Sequence, residues 1–279
     1  MTCLRPPRGE SRRCKHARRK RTEPAMPRIA PVLPETPESI GFDSAARRYG
    51  IGRGQRCLLL VDAAQFEKNV ILQRLYALDD TPDWCWLFEN SELATHAEAG
   101  PLVVDTRTNS RLVQHAIAEW ARSGLLLLVA DQPRDTVLKG LRKALTANLK
   151  TFGPTVLRAY DARFLQIMNA CQPERLSAMV GPDTTWLWSV DLPESVEWTG
   201  HRSLDPVPST SGFHDREFER LLGWVSGWAA CAKTMPAGRS ASAEDLAAFV
   251  AAQYRSGIDM PEEETTLETL WQHYERASA

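Results

Sequence analysis

RCLLLVD (56–62) is the stretch from which the fold can be read. Five apolar residues, Cys57 to Val61, run without interruption and are closed by an aspartate. That length suits a strand buried on both faces and is too short for a buried helix. FEKNVILQRLYAL (66–78) follows, with Phe66, Val70, Ile71, Leu75 and Leu78 at helical spacing. Working outward, Trp84–Phe88 and Leu102–Asp105 read as further strands, with Gly100-Pro101 as the turn before the second. Asn109 or Ser110 caps a helix striped by Leu112, Val113, Ala116, Ile117 and Trp120; Gly124 ends it, and Leu125–Ala130 is the next buried strand. Asp131 with Pro133 starts a helix running through Val137, Leu138, Leu141, Leu145 and Leu149. Thr155–Ala159 reads as a strand, Ala162–Ala170 as a helix and Thr185–Val190 as a strand. The alternation predicts an α/β N-terminal lobe, a central sheet of about five or six strands flanked by helices, either purely parallel or mixed.

The texture changes after Leu192. Pro193, Pro206, Pro208 and a Ser-Thr-Ser-Gly cluster mark 193–212 as a linker. Helical patterns then cover 214–234, 242–256 and 262–276, an all-α C-terminal lobe over 213–279. Ser242 is the N-cap of the second, and Thr265 with Glu268 fits a capping box in the third. The α/β domain spans 39–192. Ahead of it, 1–38 reads as a disordered tail, basic and then proline-rich, too poor in apolar residues to offset its ordering entropy.

The formal net charge of −1 over 279 residues hides an asymmetry. Residues 1–25 hold nine Lys and Arg against Glu10 and Glu23, so the remainder is acidic by eight charges. A basic globular face for nucleic acid is therefore not expected. The tail itself admits three readings: a surface-binding arm, a transit peptide, or an over-extended start with Met26 beginning the chain. The third is favoured. The longest apolar run, Gly124–Ala130, falls far short of the roughly 18–20 residues of a membrane span. Cys3, Cys14, Cys57, Cys85, Cys171 and Cys231 show neither C-x-x-C spacing nor neighbouring histidines. They read as small core residues of a reducing compartment, with no metal site. A cytoplasmic location follows as the expectation.

Signatures of catalysis are sparse. Gly50-x-Gly52-x-Gly54 precedes a strand instead of following one, so it is not a dinucleotide loop. No phosphate-binding loop and no G-x-S-x-G elbow is present. His115 and Glu119 share a helix face at i, i+4, and read as a solvated polar pair in preference to two metal ligands. VLRAYDARFL (156–165) is richer: it gathers Arg158, Tyr160, Asp161 and Arg163 at a strand-to-helix junction. Asp161 can cap the helix while an arginine pairs with it, which favours an ion-pair network over an active site. An enzyme using those four residues is the alternative. Of the nine tryptophans, Trp84/Trp86 and Trp186/Trp188 are i, i+2 pairs that each share one strand face. Most read as core, and Trp186 and Trp188 are candidates for structure or for lining a partner groove.

The ordered series LLLVDAAQF (58–66), LYALDD (75–80), WLFENSE (86–92), EAGPLVVD (98–105), EW (119–120) with GLLLL (124–128), VLRAYDARFL (156–165) and MVGPDTTWLW (179–188) resembles the effector adaptor, or chaperone, family of the type VI secretion system. The resemblance covers about 57 to 190 and is looser over the helical end. One departure is Ala162, where the family usually has proline in R-x-Y-D-P-R. The resemblance implies a non-catalytic protein without cofactor. Its partners would be a type VI effector, bound through the effector's N-terminal region, and the VgrG spike onto which that effector is loaded.

Overall fold

The computed structural model describes residues 41–279 except 68, 145, 150–152, 157, 159, 194, 204–214, 237–241 and 279. The tail read over 1–38, and the part of the linker at 204–212, lie outside the described residues. The described residues fall within one compact unit.

Ten α-helices and eight strands occur among the described residues. In chain order they are α1 (Phe42–Arg48), β1 (Arg56–Val61), α2 (Val70–Leu78), β2 (Asp83–Trp86), β3 (Leu102–Arg107), α3 (Arg111–Glu119), β4 (Leu125–Ala130) and α4 (Arg134–Ala144). There follow β5 (Thr146–Leu149), β6 (Gly153–Val156), α5 (Ala162–Cys171), α6 (Pro173–Val180), β7 (Thr184–Asp191) and β8 (Val196–Ser203). The C-terminal helices are α7 (Asp215–Ser226), α8 (Trp228–Lys233), α9 (Ala243–Arg255) and α10 (Glu264–Ser278).

Six strands make one sheet in the order β2-β3-β1-β4-β7-β8, and every neighbouring pair is antiparallel. This corrects the expectation of a parallel or mixed sheet. The unbroken apolar runs report burial on both faces, and a helical layer on each side produces that burial whatever the strand direction. Leu58 and Leu60 of β1 face one cluster with Leu126, Leu128, Trp186 and Trp188, while Cys57, Leu59 and Val61 face another with Leu102, Val104, Leu125 and Leu127. Helices α1–α3 supply the second cluster, through Ala45, Ile71, Leu75, Leu112, Val113 and Ala116. Helices α4–α10 supply the first.

Three further corrections concern element boundaries. The helix expected to reach Leu149 stops at Ala144, and Thr146–Leu149 pair with Gly153–Val156 as a separate two-stranded ribbon. Thr and Asn are poor helix formers that favour local side-chain bonding, which outweighs the periodic leucine. The strand expected over 155–159 is accordingly β6 of that ribbon and not part of the main sheet. The expected linker at 193–212 contains β8, the edge partner of β7 from Asp191↔Val196 to Thr184↔Ser203. Pro193 precedes the strand, and Pro206 and Pro208 lie outside the described residues.

The C-terminal helices share their core with the sheet. Phe218, Trp224, Trp228, Phe249 and Trp271 belong to the same apolar cluster as Trp186 and Trp188. The helix expected over 214–234 is divided at Gly227, where Met260 packs so closely that a side chain would displace it.

Candidate functional site

The residues of the R-x-Y-D-x-R segment converge on the end of the sheet where β1 finishes, β4 begins and β7 finishes. Asp62 follows the last residue of β1, and its carboxylate caps a short 3-10 turn by accepting from the Ala64 N–H at 3.2 Å. The same carboxylate accepts from Gln65 Nε2 at 3.3 Å and from Arg158 Nη2 at 2.5 Å. Asp161 is the N-cap of α5, accepting from the Arg163 N–H at 3.0 Å, and it grips the Arg163 guanidinium through Nε at 3.0 Å and Nη2 at 2.7 Å. Beside them, Arg122 Nη1 donates to Asp191 at 2.7 Å. Tyr160 is buried, with the Arg158 guanidinium 5.4 Å from its ring centre. Together these groups line a cavity of about 270 Å³.

Three carboxylates and three guanidiniums make the cavity lining electrically neutral, each acid having its own cation. Burial pushes the Asp161 carboxyl upward, but the hydrogen bonds and charge of Arg163 outweigh it and hold the group below its ordinary value. Burial opposes the charge on Arg158, and Tyr160, Asp62 and Asp161 more than compensate, so its pKa rises. The bond to Asp161 raises Arg163 likewise, and burial pushes the Tyr160 phenol up. At neutral pH Asp161 and the two arginines are thus held ionised and the phenol protonated. General acid–base work needs a group poised near the working pH, whereas these four are held in one state. What the arrangement does well is tie the segment entering α5 to the end of β1, through Arg158 and Asp62, and the end of β7 to the turn before β4, through Arg122 and Asp191.

The four sequence candidates Arg158, Tyr160, Asp161 and Arg163 are therefore brought together. Asp62, Gln65, Arg122 and Asp191 join them unannounced, although an aspartate closing an otherwise apolar run was a usable signal for Asp62. Ala162 occupies the first position of α5, where proline is favoured for its fixed φ, so the departure from R-x-Y-D-P-R leaves the junction intact.

Trp186 and Trp188 lie apart from the cavity lining and are completely buried, which removes them from any partner groove. Trp188 Nε1 donates to Gln166 Oε1 at 3.1 Å, and Gln166 Nε2 donates to the Ala243 carbonyl at 3.1 Å. The pair thus ties β7 through α5 to the start of α9. Around β2, Tyr76 is exposed and Trp84 and Trp86 are half-buried, as are Phe42, Tyr49, Phe66 and Tyr274 elsewhere.

A second polar constellation was not foreseen. Ser177 Oγ lies 2.7 Å from His201 Nε2, and His201 Nδ1 lies 2.9 Å from Asn169 Oδ1. The order nucleophile, base, orienting amide matches the logic of a catalytic triad. Ser177, however, is buried within α6 and not raised on an exposed turn as such nucleophiles are. Burial lowers the His201 pKa and keeps the ring neutral. The trio reads as a clamp joining β8 to α5 and α6.

Among the described residues no group of three or more His, Cys, Asp or Glu could hold a metal ion. Nor is any helix among them long and apolar enough to cross a membrane. Cys57, Cys171 and Cys231 are free thiols pushed up to about 12 by burial.

The fold and cleft define an antiparallel-sheet protein with helices on both faces and a neutral, charge-paired cavity at one sheet end. Residues 57–178 match the family described as Domain of unknown function (DUF4123). No curated protein and no solved structure matches the chain. The matched segment encloses Asp62, Arg122 and the 158–163 segment, and stops before β7 and β8.

Proposed function

We propose that the protein is an adaptor of type VI secretion. It binds an effector, through the effector's N-terminal region, and promotes its loading onto the VgrG spike without catalysing a reaction. The ordered motif series that suggests this role falls largely within the residues matched by the family model. The observation that carries the reading is the use made of R-x-Y-D-x-R: Arg158 is engaged by Asp62 at the end of β1 and Arg163 by Asp161 at the helix start, so both guanidiniums serve in structural pairs. Loading requires release, so a moderate affinity resting on a few aromatic or arginine anchors suits the task. The test is a pull-down of the tagged full chain from its native cells, read by mass spectrometry. Recovery of a VgrG-type spike together with one large effector is expected. Recovery of neither, from cells expressing both, overturns the proposal.

The cavity beside the ion pairs favours one competing reading, an enzyme working through Arg158, Tyr160, Asp161 and Arg163. It predicts a turnover that Asp161→Asn abolishes while circular dichroism shows the fold unchanged.

A further inference from the structure

We propose that β2 is a docking strand that accepts an extended, basic segment of a partner protein by strand addition. The inference goes beyond the adaptor reading and stands on β2 itself, whatever protein carries the segment.

β2 ends the sheet: β3 lies on one side, and no strand lies on the other among the described residues. An edge of this kind offers unpaired backbone donors and acceptors to an incoming strand. Trp84 and Trp86 share one face of β2, with ring centres 5.7 Å apart in an edge-to-face contact. Trp84 Nε1 donates to the Tyr76 hydroxyl at 3.1 Å, and Tyr76 is 52% exposed. Both indoles are only partly buried. Three large aromatic residues held in place at an open edge provide anchors of the kind that dominate binding energy.

Charge selects the occupant. Between Leu75 and Thr106 the sequence contains no lysine or arginine. Asp79 and Asp80, just ahead of β2, and Asp83, its first residue, are exposed. Two guanidiniums reach in from α4 and both are engaged, Arg134 on Asp83 and Arg142 on the Leu87 carbonyl. A second copy of this stretch has no lysine or arginine to set beside these carboxylates, whereas a basic segment does. A segment alternating apolar with lysine or arginine residues places its apolar side chains beside the indoles and its cations among the carboxylates. The carboxylates thus favour a basic partner over a second copy of the same stretch.

The probe is an acetylated (Lys-Val)4 peptide titrated into the full chain by calorimetry, with amide hydrogen exchange read at residues 83–86. Controls are the (Glu-Val)4 peptide and a lysine–valine peptide of equal charge interrupted by proline, which cannot form a strand. The alternating basic peptide should bind at least about tenfold more tightly than either control and slow exchange across 83–86. Asp80→Lys, at an exposed position, should weaken it by about fivefold and leave the thermal midpoint unchanged. Equal binding of the proline-interrupted peptide, protection elsewhere than β2, or protection of β2 by concentration-dependent dimerisation each overturns the proposal.

Discussion

Asp161 does two jobs, capping α5 and pairing with Arg163, and its substitution separates them. Asparagine keeps an oxygen for the cap and loses the charge. The native carboxyl binds its proton less tightly than the unfolded chain's, near 3.8, so its stabilisation is fully present above that value and is lost as pH falls through the lower native value. Thermal midpoints measured from pH 5 to 2.5 should fall more steeply for the wild type than for Asp161→Asn. Gln166 is the more costly position. Gln166→Leu leaves the Trp188 N–H and the Ala243 carbonyl without these partners in the interior, which should lower stability by about 2–4 kcal/mol in urea denaturation. At this scale the sequence disclosed one half of the candidate site. Arg158 to Arg163 stood out because they are adjacent in the chain. Arg122 and Asp191 did not, because their pairing spans 69 residues and each alone reads as a surface charge.

Strands and helices between 56 and 130 were legible because local pattern and burial coincide there, whereas α1 went unread. Ser110 caps α3 as its sequence suggests, its hydroxyl accepting from the Val113 N–H at 3.1 Å. Strand direction was not legible, since β1 and β4 are apolar on both faces for a reason unrelated to polarity. β8 was hidden because VEWTGHRS carries a histidine, an arginine and a glycine, of which His201 and Gly200 are used structurally. Gly200 is the informative one: a Cβ there would run into the Trp186 carbonyl of the neighbouring strand and approach Tyr49 to 3.1 Å. Gly200→Ala should cost about 2–3 kcal/mol by forcing β8 from β7. Gly227 offers the contrast. Its Cβ would meet only the flexible Met260 side chain, which can swing aside, so Gly227→Ala should shift stability by less than about 1 kcal/mol. Denaturant midpoints of the two variants, compared side by side, check the distinction.

Across the whole molecule, β7 and its indoles join the sheet to the C-terminal helices in one core. The family match at 57–178 therefore ends inside a folding unit. A chain stopped at 178 leaves β4 without β7 and exposes the apolar face that Trp186 and Trp188 cover, so it should be recovered as aggregate where the full chain is soluble. A pH signature belongs to this scale too. Burial lowers both His201 and His115, the latter with Arg74 adding to the effect against Glu119. Each is held neutral in the native state, so stability is fully present above the ordinary value of 6.5 and declines as pH falls below it. Guanidinium midpoints at pH 7.5 and 5.5 should differ for the wild type, and the difference should shrink in a His115→Gln, His201→Gln variant.

The antiparallel pairing of β4 with β7 also has a consequence for synthesis on the ribosome. The partner strand lies roughly 50 residues downstream, and translation at about 5–20 residues per second delivers it on the order of 3–10 s later. Throughout that interval the leucine run 125–128 has a neighbour in β1 and an empty flank on its other side. The nascent chain thus carries a sticky, half-finished sheet for seconds, which makes its delivery to a general folding helper a matter of timing as much as of sequence.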